Sequence, residues 1–102
     1  MPYLIYAIDH DGMHETREKL RGNHREHLAS AGTKLLAAGA LLDDDGMTVI
    51  GGLSILDTVD REEAQRFADA DPYSRAGIRR ETRVIRWRRR WLDGDFIADQ
   101  AT

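Results

Sequence analysis

The sequence contains no cysteine, only two prolines and few aromatic residues. Without cysteine the chain cannot form disulfides, use a thiolate nucleophile or bind zinc through cysteine ligands. It also lacks the basic start and long apolar run of a signal peptide, and no apolar stretch is long enough to cross a membrane. These absences lead us to expect a cytoplasmic protein with no membrane partner.

The sequence also has no large excess of charge of either sign, because acidic and basic residues nearly balance and the net charge is only -3. A protein that binds nucleic acid through bulk charge would carry a clear positive excess. The run 86–91 alternates arginines with Trp87 and Trp91, as nucleic-acid patches do. Strand alternation would divide these arginines between two faces, and aspartates nearby offset them. We therefore expect no nucleic-acid partner.

Four stretches of the chain predict strands. Residues 3–8 are aromatic and β-branched, and residues 39–42 begin a second strand that ends at the turn signal 43–46. Residues 51–58 and 81–88 predict the third and fourth strands. Both faces of the first strand are apolar, so both must be covered.

The first helical region carries a break in its pattern. Gly22 interrupts it, and Asn23 with Glu26 forms a capping-box spacing. This predicts a short helix over residues 13–20 and a longer one from about 24 to 38.

The second helical region has clear start signals. Asp60, with Glu63 three residues later, predicts a capped helix over residues 61–69. Pro72 suits the first turn of a further short helical segment over residues 73–76.

The resulting β-α-β-β-α-β order is that of the ferredoxin-like fold, an α+β architecture with an antiparallel sheet and helices on one face. The length predicts a single domain, residues 1–92, followed by a polar, frayed tail over 93–102. Because helices cover only one face of the sheet, we expect a second copy of the chain to cover the other, as a homodimer.

His24 is the first candidate for catalysis. It lies in the middle of the apolar stripe of its predicted helix, and in the first turn of that helix. The positive end of the helix dipole favours the neutral imidazole, which a general base requires. The alternative is a buried histidine whose ring nitrogens bond to backbone.

Asp71 is the second candidate, because it stands at a forced change of chain direction ahead of Pro72. Its carboxylate could orient the ring of His24, or it could simply cap the segment that Pro72 begins. Three further residues are candidates for substrate binding: Arg21, Tyr73 and Tyr6. A surface salt bridge for Arg21 and core packing for the two tyrosines are the alternatives.

The sequence favours chemistry without a cofactor or metal. It has no glycine-rich nucleotide loop. His24 and His27 have a spacing that could hold a metal with Glu26 or Asp71, but no further histidine is well placed as a third ligand.

Three stretches together resemble the YciI-like family: residues 3–7, residues 21–24 with Leu28, and residues 68–73. The resemblance implies a dimeric ferredoxin-like α+β barrel whose pocket holds a histidine and an aspartate, here His24 and Asp71. Some relatives are dehydrochlorinases or resemble muconolactone isomerases. The chain departs from the family at 51–52, where Gly-Gly replaces the frequent Gly-Ser, and in the tail beyond Trp87.

The leading hypothesis is a cofactor-independent enzyme of lyase or isomerase type. His24 would abstract a proton from a small carbonyl or phenolic compound, and Asp71 would orient the ring. The main alternative is a domain that binds a small ligand without reacting with it. A cofactor-independent oxygenase is a third possibility.

Overall fold

The computed structural model of the chain describes residues 1–98. Its main strands are β1 (Tyr3–Asp9), β2 (Leu35–Leu42), β3 (Val49–Leu56) and β4 (Arg79–Arg86). The helices are α1 (His14–Ser30), α2 (Arg61–Ala70) and the one-turn α3 (Pro72–Arg75). The four strands form one antiparallel sheet in the order β2-β3-β1-β4, which confirms the predicted ferredoxin-like α+β fold.

The core lies between this sheet and the helices. Alternate residues of the central strand β1 are buried beneath the helices: Tyr3, Ile5, Ala7 and Asp9. They pack with apolar residues of the neighbouring strands and of α2: Leu56, Val84, Ala64 and Ala68. The period of two in β1 therefore directs one set of side chains into the core.

The opposite face of the sheet carries apolar side chains that are only partly covered. We call this surface the open face, and it comprises Leu4, Tyr6, Leu53, Ile55 and Ile85. The strand register aligns these residues on one side of the sheet. Ile85 is 40% exposed, and the other four are half-buried.

Helix α1 corrects the first helix prediction. Gly22 lies inside one continuous helix, and Asn23 is an interior residue of it rather than a cap. A glycine inside a helix costs about 1 kcal/mol relative to alanine. Favourable packing can offset a cost of that size, so the glycine does not end the helix.

Strand β2 corrects the end of the second predicted helix. Residues 35–38 belong to β2 and not to a helix. The helix ends before Gly32, which adopts a left-handed backbone with φ of 59°. Glycine is favoured at such helix ends because it has no Cβ. The leucines and alanines that follow favour a helix locally, but pairing with β3 determines their conformation.

The start signals of α2 and α3 are confirmed. The Asp60 side chain accepts a hydrogen bond from the Glu62 amide, as an N-cap should. Pro72 is the first residue of α3.

The C-terminal region contains a small hairpin, β5 (Trp91–Leu92) and β6 (Asp95–Phe96). Its turn uses Asp93 and Gly94, both with positive φ. The part of the predicted frayed tail that precedes Ile97 is thus paired, whereas residues 99–102 lie outside the described residues. None of the helices in residues 1–98 has the length and apolar character needed to span a membrane.

Candidate active site

His24 and Asp71 are in direct contact across the space between α1 and the start of α3. Nδ1 of His24 lies 2.9 Å from Oδ1 of Asp71. Both side chains are largely buried, with exposed fractions of 18% and 13%. The distance is that of a good hydrogen bond.

Asp71 also caps α3, so the predicted cap coexists with the contact to His24. Its Oδ1 atom accepts from the Tyr73 amide at 2.9 Å. Burial acts to raise the pKa of Asp71, but the hydrogen bonds from His24 and the Tyr73 amide, with the charges of His24 and Arg79, hold that pKa below its ordinary value. The carboxylate is therefore ionised at neutral pH and can only accept hydrogen bonds.

His24 occupies the middle of α1 and not its first turn. The predicted effect of the helix dipole on this ring is therefore wrong, because the dipole acts only near the helix ends. The ring is instead stacked on Tyr73, with centroids 4.0 Å apart and planes 12° apart. Tyr73 is 3% exposed, so it forms a rigid support for the imidazole.

Two arginines and a second aspartate extend the His24–Asp71 pair into a network. Nη2 of Arg79 lies 3.5 Å from Oδ2 of Asp71, and its Nη1 atom lies 3.0 Å from Oδ1 of Asp9. The other oxygen of Asp9 lies 2.7 Å from Nη1 of Arg17. The guanidinium groups of both arginines also lie against the Tyr73 ring.

Asp9, Arg17 and Arg79 were not predicted from the sequence as site residues. A register shift after Ile8 in the pairing of β1 with β4 puts Asp9 opposite Arg79. Bulges of this kind re-aim side chains beside active sites. The only signal in the sequence was an aspartate at the end of an apolar strand, and no local pattern connects it to residue 79.

A cleft of about 310 Å³ opens in front of His24, between α1 and the β2–β3 side of the sheet. Its helical wall contains Arg21, His24, Arg25 and Leu28. Its floor is built from small residues of the two strands: Ala38, Gly39, Ala40, Gly52 and Ser54. The small side chains leave the room that a ligand needs beside the imidazole.

Of the three residues predicted to bind substrate, two line the cleft and the third lies on the other side of the sheet. Arg21 lines the cleft, is 57% exposed and lies 3.7 Å from Glu18. Tyr73 also lines the cleft, and its hydroxyl lies 3.4 Å from the Arg17 carbonyl. Tyr6 belongs to the open face, on the other side of the sheet from His24.

His27 lies apart from this cleft. Its Nε2 atom is 2.9 Å from the Phe67 carbonyl, and its ring is stacked on Phe67. Within the described residues 1–98, histidines and carboxylates form no cluster of three or more that could hold a metal ion.

A larger cleft of about 620 Å³ lies beyond the end of β1, lined in part by His10, Asp11 and His14. Over residues 1–98, neither of these histidines makes a ring-nitrogen hydrogen bond to a carboxylate. We therefore place the candidate site at the smaller cleft, where a histidine, a carboxylate and an open space meet.

Comparisons with known proteins also identify the chain as a small α+β protein. Among curated proteins, none is a significant match to the sequence. A similar solved structure is the 5-chloro-2-hydroxyhydroquinone dehydrochlorinase from Burkholderia phenoliruptrix AC1100, in complex with 2,5-dihydroxybenzoquinone. The two chains are 28% identical, with a TM-score of 0.77 over 86% of this chain and 94% of the other. The profile of the YCII-related domain matches residues 1–88, so the resemblance noted in the sequence is confirmed and the chain belongs to this family.

Proposed function

We propose that the chain is a cofactor-independent enzyme that removes a proton from a small phenolic or carbonyl compound, with elimination or isomerisation as the outcome. The observation that carries this proposal is the 2.9 Å contact between His24 and Asp71 at the edge of an open cleft. His24 is the proposed general base, and Asp71 the residue that orients it.

The contact determines which ring nitrogen is free to react. Because Asp71 is an ionised acceptor, the proton of a neutral imidazole must lie on Nδ1, the atom that faces it. Nε2 is then unprotonated and able to accept a proton. In residues 1–98 no protein group hydrogen-bonds to Nε2, which leaves it for a ligand in the cleft.

The proposed elimination needs no external oxidant or reductant. The substrate reacts as its keto tautomer, in which the carbon that bears the leaving group also carries a hydrogen. Nε2 of His24 takes a C–H or O–H proton, and the electron pair that is released rests on oxygen as an enolate or phenolate before a new double bond forms in the substrate. A leaving group such as chloride departs with its own bonding pair, so the substrate loses HCl overall. Asp71 stabilises the imidazolium that forms.

The dimensions of the cleft suit a single substituted ring. An enclosed cavity of about 150 Å³ is enough to hold benzene, and this cleft measures about 310 Å³. The similar dehydrochlorinase acts on a chlorinated hydroxyhydroquinone. We therefore propose chlorinated or otherwise substituted polyhydroxybenzenes, in phenol or keto form, as the first substrates to test.

We also propose that the working unit is a homodimer formed through the open face. The four-stranded sheet leaves the apolar side chains of Tyr6, Ile55 and Ile85 without cover from the chain's own helices. A second copy would bury this surface by the hydrophobic effect. The cytoplasmic location expected from the sequence stays a prediction.

Release of chloride from 5-chloro-2-hydroxyhydroquinone tests the proposed reaction. The purified protein should release chloride and form the dechlorinated quinone faster than the buffer blank, without added metal or cofactor. Tight binding of the compound without conversion would favour the ligand-binding alternative. Oxygen consumption in step with substrate loss would favour the oxygenase alternative, and either result would contradict the proposal.

A further inference from the structure

We propose that Arg79 contacts the substrate directly and stabilises the negative oxygen that forms when His24 removes a proton. This inference rests on the proposed function and assigns a further catalytic residue to it. The ligand class it specifies is an oxyanion, a phenolate or an enolate, held at the end of the cleft where Arg79 lies.

The position of Arg79 supports this role. Its side chain is only 8% exposed, yet it lines the cleft together with His24. Asp9 and Asp71 each bond to one of its terminal nitrogens, at 3.0 and 3.5 Å. A guanidinium has five N–H donors, so donors are left over after these two contacts. An arginine fixed in this way can donate to a ligand without first losing side-chain freedom.

Gly52 keeps the guanidinium open to the cleft. A Cβ atom on residue 52 would lie 3.4 Å from both Nη1 and Nη2 of Arg79. Any side chain at this position of the cleft floor would therefore contact the two terminal nitrogens of Arg79. The glycine at this position thus provides space in front of a buried cation.

The charge balance of the network also favours an anionic ligand. With His24 neutral, Arg17 and Arg79 are balanced by Asp9 and Asp71, so the network has no net charge. After His24 accepts a proton, the same five residues carry one positive charge. The substrate oxygen that lost the proton carries one negative charge, and it would be held where that excess lies.

The cleft has further positive charge beyond the network. Arg21 and Arg25 also line it, and among the lining residues within 1–98 Glu18 is the one that is acidic. Both arginines are exposed, so solvent weakens their individual effects. They nevertheless make the approach to Arg79 favourable for an anion rather than for a cation.

Binding of 4-nitrophenol tests the inference without any turnover, because this probe has no halogen to lose and its phenolate is coloured. In the presence of excess protein, the pH midpoint of the colour change should fall by about one unit, equivalent to about tenfold tighter binding of the phenolate than of the phenol. The Arg79→Gln variant should lose this shift. Arg66→Gln removes the same charge from an exposed position of α2, away from the cleft and the open face, and it should keep the shift.

Two further variants distinguish the contribution of Arg79 from that of His24 and from a general loss of folding. Gly52→Ala leaves the charge in place but covers the guanidinium, so it should reduce the shift even if Arg79→Gln fails to fold. His24→Gln removes the base and should keep a preference for the phenolate, because Arg79 supplies it.

Three results would overturn the inference. They are an undiminished shift in a folded Arg79→Gln or Gly52→Ala protein, loss of the shift in His24→Gln alone, and no binding of nitrophenolate by the wild type. Since none of these measures turnover, failure of Arg79 as an anion site is distinguishable from failure of His24 as a base.

Discussion

Asp71 holds His24 by a 2.9 Å hydrogen bond between Oδ1 and Nδ1, although the two residues are 47 positions apart in the sequence. The same oxygen accepts from the Tyr73 amide, so the start of α3 fixes the carboxylate and the carboxylate fixes the ring. Stacking of the ring on Tyr73 restricts its remaining freedom. The start of α3 thereby determines which nitrogen of His24 is held by Asp71.

The Asp71→Asn variant should show how this carboxylate contributes to stability as pH changes. Because the folded-state pKa of Asp71 is lowered, its contribution is fully present above the unfolded pKa of about 3.9 and is lost as pH falls through the folded pKa. The difference in unfolding free energy between wild type and variant should therefore stay constant from neutral pH down to about pH 4 and shrink below it. Urea titrations across that range measure it, with Asp69→Asn as an exposed control. A difference that does not shrink below that pH would contradict the role assigned to the carboxylate.

Asp9→Asn should destabilise the fold and disturb the site together. The Asp9 side chain is 3% exposed and bonds to both Arg17 and Arg79. Breaking a buried ion pair by removing one partner costs about 3–5 kcal/mol, and we expect a loss near the lower end because Asp71 still faces Arg79. Asp11→Asn, on an exposed residue of the next loop, is the matched control. Equal stability of the two variants in urea unfolding would show that the network is not structural.

Gly51→Ala should be far more destabilising than Gly39→Ala. A Cβ on Gly51 would lie 2.0 Å from the Ala7 carbonyl oxygen, a backbone atom that cannot move aside without disturbing the sheet. Around Gly39 there is no atom within 4 Å of the added Cβ. We expect a loss of about 2–4 kcal/mol for the first variant and under about 1 kcal/mol for the second. Thermal unfolding of both proteins measures the difference, and similar melting temperatures would contradict the strand register described here.

Ile85→Glu should convert the proposed dimer into a monomer. Ile85 lies on the open face, where a buried charge without a partner would oppose association. Val59→Glu, at a 56% exposed aliphatic residue in the loop before α2, should leave the dimer intact. Light scattering coupled to size exclusion distinguishes one chain from two. A wild-type protein that is monomeric at micromolar concentrations, or an Ile85→Glu protein that still dimerises, would contradict the proposed interface.

The sequence predicted the fold well where local signals and tertiary packing agree. The apolar strand at 3–8, the Asp60 cap and the Pro72 start all appear in the structure as expected. Two helix boundaries predicted from the sequence were wrong. At Gly22 the helix continues despite the low helix propensity of glycine, and at residues 35–38 strand pairing overrides helix propensity. Gly32 carried the signal that ends α1 and was overlooked.

The candidate site was predictable in part. His24 and Asp71 could be singled out because one lies on a predicted apolar helical stripe and the other at a proline corner, and the family resemblance led us to pair them. Arg79 and Asp9 could not be paired in the same way. Their contact depends on the β1–β4 register and on its shift after Ile8, which are properties of the assembled sheet and leave no pattern in the local sequence.

Turnover of the His24→Gln protein is the most direct test of the proposed mechanism. His27→Gln is its matched control, because His27 lies one turn further along α1 and bonds to the Phe67 carbonyl instead of Asp71. With a substrate that the wild type converts, kcat should fall by about 10²–10⁴-fold in His24→Gln, the usual contribution of a general base, and should stay near the wild-type value in His27→Gln. A folded His24→Gln protein that turns over at the wild-type rate would contradict the assignment of His24 as the base.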